Sequence, residues 1–152
     1  ILDTRTTHHL CRNKEFLFDL KEANINLETG KAKAVLEASA YGSVVFDPVE
    51  EGYHPVTLQR VLFTPDASSN IIALKPFAEV GCVIEISGDW LTIYRGEKAL
   101  LTGKAGPKGL YVIESHTARN VTAACLLNHL AKTDIMRIVH NRLGHLHPNV
   151  IK

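Results

Sequence analysis

No apolar run in this sequence approaches the roughly 20 residues that a bilayer-crossing helix needs, so no membrane partner is expected. A charge excess of either sign is also missing. The 17 Lys and Arg stand against 16 Asp and Glu, a formal net charge of +1. That balance gives no bulk electrostatic argument for nucleic acid or a membrane surface, although a local basic patch stays open. Cysteine is scarce: Cys11, Cys82 and Cys125 are far apart and odd in number. Such usage argues against a disulfide framework and fits a reducing compartment. No Cys-x-x-Cys pair exists, so a cysteine-rich zinc site cannot be built locally. A signal peptide is not visible, yet the chain starts abruptly inside an apparent strand. It therefore reads as a segment of a longer polypeptide, with an upstream targeting signal left open.

The absence that matters most for chemistry is a glycine at position 5. The chain opens Ile1-Leu2-Asp3-Thr4-Arg5-Thr6-Thr7-His8-His9-Leu10-Cys11. Two apolar residues lead into an acid, and hydroxyl residues follow it. A buried strand that delivers one carboxylate to a turn, with Thr or Ser beside it, is the pattern of an aspartic protease. Asp19, Asp47, Asp66, Asp89 and Asp134 are followed by Leu, Pro, Ala, Trp and Ile and do not have this form. The chemistry needs two carboxylates that share one proton, one acting as base and the other as acid. One motif per chain therefore implies a symmetric dimer, as in retropepsins, with one Asp3 from each subunit. The usual third residue is glycine, which serves where backbone approaches another group closely or takes positive φ. Arg5 instead brings bulk and a permanent charge to that place. The competing reading makes Asp3 a plain turn acid near a frayed terminus.

With 152 residues, 45% of them hydrophobic, the chain has room for one domain and an appendage. Phe16, Leu17, Phe18 and Leu20 form an apolar cluster suited to plugging a core. Ile25 and Leu27 alternate with polar residues, and Thr29-Gly30-Lys31 reads as a turn. From Lys31 to Phe46 the alternation is imperfect, but Gly42 and Val44-Val45-Phe46 favour strand over helix. Val56–Phe63 alternates as a strand. Lys75–Gly81 reads as a helical turn ended by glycine. Cys82–Ile86 and Trp90–Tyr94, joined through Ser87-Gly88-Asp89, make the clearest hairpin. Ala99–Gly103 and Leu110–Ile113 are two further strands. Short strands at close spacing with glycine turns predict a mainly β chain folded as a small barrel or sandwich. After about Ser115 the apolar spacing becomes helical, with Ile135, Ile138, Val139 and Leu143 in register. The expected division is a β domain over 1–114 and a short helical C-terminal tail over 115–152.

These stretches together resemble the protease region of copia-type retrotransposon Pol polyproteins, running into the pre-integrase (GAG-pre-integrase) segment that follows it. The opening looks like that family's Leu-Asp-Ser-Gly-Ala-Thr-x-His. Ala40-Tyr41-Gly42-Ser43-Val44 is similar to its Gly-x-Gly-x-Val stretch. Val61-Leu62-Phe63-Thr64-Pro65, then Ser69-Asn70-Ile71-Ile72-Ala73-Leu74, resembles Val-Leu-Tyr-Val-Pro…Asn-Leu-Leu-Ser. Gly109-Leu110-Tyr111 and His140-Asn141-Arg142-Leu143-Gly144-His145-Leu146 resemble the later Gly-Leu-Tyr and His-x-Arg-Leu-Gly-His-Leu. The resemblance implies a small closed retropepsin-like barrel that works as a homodimer on polyprotein peptide bonds. In it Asp3 is catalytic at the dimer axis, and Thr4 braces the paired loops. A hairpin around Gly42 lies over the substrate, and the run ending in Ala73 threads beside the Asp loop. The setting it implies is intracellular, in cytoplasm or a virus-like particle. Arg5 and Ala40 depart from the pattern. The first removes the motif glycine and makes the expected activity degenerate; the second is mild.

His140 and His145 have the spacing of the first half of a His…Cys zinc site, but the cysteine half would lie beyond Lys152. They are an incomplete half-site, so no cofactor is expected within this chain. The resemblance implies zinc in the full-length parent, and nucleic acid contact only through an integrase downstream of this chain. His8, His9 and Cys11 do not converge as a metal cluster, because neighbouring strand residues face opposite sides. His54, His116, His129 and His147 read as loop or surface positions. The rival to a protease is a non-catalytic β-barrel that serves in dimerisation or peptide binding.

Overall fold

The computed structural model describes residues 1–28 and 35–120. The strands are β1 Leu2–Asp3, β2 Leu10–Cys11, β3 Phe18–Glu28, β4 Val35–Pro48, β5 Val56–Phe63 and β6 Ile72–Ala73. After the short helix α1 Lys75–Glu79 come β7 Val83–Ser87, β8 Trp90–Arg95, β9 Lys98–Ala105, β10 Tyr111–Ile113 and β11 His116–Ala118. The fold is mainly β, as expected. One sheet has the order β6-β1-β10-β9-β8-β7. The other runs β11-β4-β5-β2, with β3 also paired to β4.

Local chemistry makes the hairpins. Gly88 takes φ +55° between Ser87 and Trp90, which pair directly across the β7–β8 turn. Gly96 does the same at φ +61° between Arg95 and Lys98. Positive φ is cheap only without a Cβ, so these two turns fix the register of three strands. Alternation then sorts the side chains. Leu91 and Ile93 of β8 and Leu101 of β9 are essentially inaccessible, while Trp90 faces outward under the Lys104 ammonium, 5.3 Å from its ring centroid. From the second sheet Cys11, Val44, Leu58 and Val61 meet this layer, so the core lies between the two sheets.

The barrel is joined along one seam and open along the other. The edge strands β2 and β6 are stitched where Leu10 and Ile71 exchange two backbone hydrogen bonds of 2.8 Å. At the opposite side the only strand paired with β7 among the described residues is β8, and Val83 and Ile86 stay more than half exposed. The closed barrel expected from the resemblance is therefore barrel-like but not fully closed. Strand pairing also outlasts the boundary expected at residue 114. After Ile113 the chain crosses to the other sheet as β11, pairing His116 with Pro48 and Ala118 with Phe46. Arg119 then grips the Asp47 carboxylate with two nitrogens, holding that carboxyl below its usual range. The expected helical tail from about Val121 lies outside the described residues.

His116 corrects the sequence reading. It is 3% exposed, not a surface residue. Its Nδ1 bonds the Ser115 hydroxyl at 2.9 Å, and its Nε2 bonds the His54 carbonyl at 2.8 Å. The Ser115 Oγ in turn accepts the Thr102 N–H at 2.8 Å. These satisfied bonds let a polar crossing pass through the interior without orphaned groups.

Two glycines are required by close approach. A Cβ on Gly103 would fall 2.6 Å from the Leu2 Cδ1, and one on Gly42 would fall 2.7 Å from the Phe18 carbonyl oxygen. The second contact is with backbone, so β3 and β4 would have to separate. Gly42→Ala should therefore cost about 1–3 kcal/mol, the usual range for overpacking. Chemical denaturation checks this, and an unchanged urea midpoint would contradict the packing described.

His9 links the seam to β6 and sets an acid sensitivity. It is 6% exposed, and its Nδ1 accepts the Ala73 N–H at 3.1 Å. Burial, aided by neighbouring His8, lowers its pKa from 6.5 to about 4. The unfolded chain thus binds a proton between about pH 6.5 and 4 that the folded chain refuses. Stability from this group is complete above about 6.5 and falls as pH drops toward 4, by at most about 3 kcal/mol. His9→Gln keeps an acceptor but removes the titration. Its urea midpoint should fall less between pH 7 and pH 5 than that of the wild type.

Candidate functional site

The site is built on β1, a strand of only two residues. Leu2 is buried at 4% exposure and packs into the core, which turns Asp3 toward the rim. On one side β1 pairs antiparallel with β10, Leu2 opposite Tyr111. On the other it pairs parallel with β6, Leu2 opposite Ile72 and Asp3 opposite Ala73. The Ile72 N–H donates to the Ile1 carbonyl at 2.7 Å, and the Leu74 N–H donates to the Asp3 carbonyl at 3.0 Å. The run ending in Ala73 thus threads directly beside the Asp-bearing segment.

Asp3 is half-buried, whereas Thr4 and Arg5 are exposed. The Asp3 Oδ1 accepts the backbone N–H of Arg5 at 2.7 Å, a tight turn made by the carboxylate itself. This is the only side-chain hydrogen bond of Asp3 among the described residues. The Arg5 guanidinium has no ion-pair partner among them either. At the far end of the loop Thr7 Oγ1 meets His8 Nδ1 at 2.8 Å in solvent, while the next residue, His9, is buried. The two histidines face opposite ways, and no group of three potential metal ligands occurs among the described residues.

The ladder to β1 takes the N–H groups of Ile72 and Leu74. Ala73 points its N–H the other way, where β6 is a sheet edge. The His9 ring occupies that edge and accepts this bond, with Phe77 edge-on at 5.8 Å between centroids. Because Nδ1 accepts from a backbone donor, neutral His9 carries its proton on Nε2. The family-type pattern pointed to His9 only as a motif residue. Its role depends on Ala73, far along the chain, and no local signal could have found it. Asn70, which the sequence reading placed in a motif without a role, is a second such residue. Its Oδ1 accepts the Arg12 N–H at 2.8 Å, tying the loop before β6 to the end of β2.

Not every expected site residue comes together. Ala73 lies beside Asp3 but is fully buried, so it has no side-chain surface to offer. Gly42 is in the other sheet, buried within β4 and paired with Val61. It is an interior position of the long β3–β4 hairpin rather than its tip, and the turn of that hairpin lies outside the described residues. A cavity of about 100 Å³ sits between the sheets, walled by Leu10, Cys11, Val44, Leu58, Ile72 and Ile113 among others. Asp3, Thr4 and Gly42 do not line it. Its walls are mostly apolar, with His9 and Asn70 as the polar exceptions. His140 and His145 lie outside the described residues.

No curated protein and no solved structure matches the chain. The family described as Pol polyprotein, beta-barrel domain, matches residues 1–82, a span that runs from β1 through α1 and contains Asp3, Gly42 and Ala73. With more than half of its length matched, the chain belongs to the Pol polyprotein beta-barrel domain family.

Proposed function

We propose that this domain is the retropepsin-like aspartic protease region of a copia-type Pol polyprotein, followed by the start of its pre-integrase segment, and that this copy has lost peptidase activity. The observation that supports the reading is Asp3 at the end of a buried strand, with β6 running parallel beside it. A strand held on both sides can present one carboxylate at a fixed height. Two such loops, one per subunit of a homodimer, would supply the pair of carboxylates that activates water and protonates the scissile carbonyl. Thr4 then braces the facing loops. Under this reading the substrate is a polyprotein segment in the cytoplasm or a virus-like particle. Ala73 contributes only backbone to its binding, and the β3–β4 hairpin that carries Gly42 is the covering flap. Zinc belongs to the parent polyprotein, where His140 and His145 begin a site. Nucleic acid belongs to the integrase downstream.

Arg5 is the reason for the lost activity. It puts a bulky, permanently charged side chain where the resembled motif has glycine, at the mouth of the loop that carries Asp3. Two copies of Arg5 near a dyad also crowd the entry to the loops. The exposed Arg5 favours a second reading as well, a non-catalytic barrel retained for dimerisation.

The wild-type protein should not cleave a panel of unstructured peptides. Arg5→Gly should gain cleavage, and adding Asp3→Asn should abolish it. Robust wild-type cleavage that disappears in Asp3→Asn would sink the claim of lost activity. A folded, dimeric Arg5→Gly variant without cleavage would leave the non-catalytic barrel as the function.

A further inference from the structure

The loop after β1 carries a carboxylate and a guanidinium that do not satisfy each other. The Asp3 Oδ1 is taken by the backbone N–H of Arg5, and the Arg5 guanidinium makes no ion pair with the acid. Among the described residues the guanidinium has no acidic partner, and the second Asp3 oxygen has no hydrogen-bond donor. Arg5 is exposed, and Asp3 is half-exposed beside it. The segment is also rigidly based, because β1 is paired on both flanks and Leu2 is buried beneath it.

We propose that this loop is a self-docking surface, in which Arg5 of each chain pairs with Asp3 of a second copy across a two-fold axis. The proposal takes from the reading above only that the loops of two copies face each other. It replaces a shared proton between two aspartates with two reciprocal ion pairs. A two-fold interface is self-complementary: if residue i meets j, then j meets i. One acid and one base two residues apart on a fixed loop meet that condition, with two pairs formed and no charge left over. The geometry suits arginine, whose planar fork takes a carboxylate by two parallel bonds. A second copy fits better than an acidic ligand, which would engage Arg5 but be repelled by Asp3. It also fits better than nucleic acid, since the chain as a whole carries a formal charge of only +1.

A charge-swap experiment on the full chain decides this by sedimentation at micromolar concentration. The wild type should dimerise, and rising salt should weaken the dimer, because partly exposed pairs are screened. Asp3→Lys gives a loop with two positive residues, and Arg5→Glu gives one with two negative residues. Each alone should associate about tenfold or more weakly than the wild type, as expected for opposed like charges at an interface. Mixed in equal amounts they should form a heterodimer, since Lys at position 3 meets Glu at position 5 while Arg5 meets Asp3. Local damage to the fold could not produce that recovery. A monomeric wild type, or single variants that dimerise as well as the wild type, would overturn the proposal. So would a mixture that stays monomeric while both variants are folded by circular dichroism. Failure here leaves the protease reading untouched if the wild type is dimeric. Failure of Arg5→Gly to cleave leaves this inference untouched.

Discussion

A two-residue strand cannot hold itself in place, and β1 does not try to. Its position comes from the ladder to β6 on one side, the pairing to β10 on the other, and Leu2 buried against Gly103 beneath. Those neighbours are brought in from distant parts of the chain, so the loop bearing Asp3 exists only when both sheets have formed. The bridge between Leu10 and Ile71 completes the arrangement by joining the sheet edges where the chain leaves the loop. A member of this Pol polyprotein family therefore carries its one conspicuous acid on the most interdependent part of the fold.

Edges govern much of the remaining structure. An edge strand leaves alternate N–H groups unpaired, and a buried one must be answered. At β6 the answer is a neutral imidazole, which accepts a bond and fills space against Phe77 at once. At the β10–β11 crossing it is Ser115 and His116, which satisfy Thr102 and the His54 carbonyl. At the first the His9 Nδ1 accepts a bond, and at the second the His116 Nε2 donates one to a carbonyl, each from an otherwise apolar ring. The open edge at β7 has no such device among the described residues, and its Val83 and Ile86 side chains stay in solvent.

Arg5 joins the fold to function. Glycine at that position would leave the Asp3 carboxylate as the dominant charge of the loop. Arginine adds an opposite, solvent-exposed charge to the same loop. The backbone tolerates the change because Arg5 points to solvent and its N–H still bonds the Asp3 carboxylate. A residue other than glycine at this position is thus compatible with the barrel.

The sequence by itself determined the β class, the β7–β8 and β8–β9 hairpins, the short helix ended by Gly81, and Asp3 as the acid worth following. These depend on glycine at positive φ and on alternation over a few residues, which are local. It did not determine that Gly42 is an interior strand position, that β11 extends the barrel past residue 114, that the barrel stays open at β7, or that His9 and His116 are buried. Each of those depends on which distant segment arrives to pair: Phe18 against Gly42, Pro48 against His116, Ala73 against His9. Only the tertiary structure decides such pairings, because a backbone hydrogen bond carries no side-chain code, and burial depends on what comes to cover the residue.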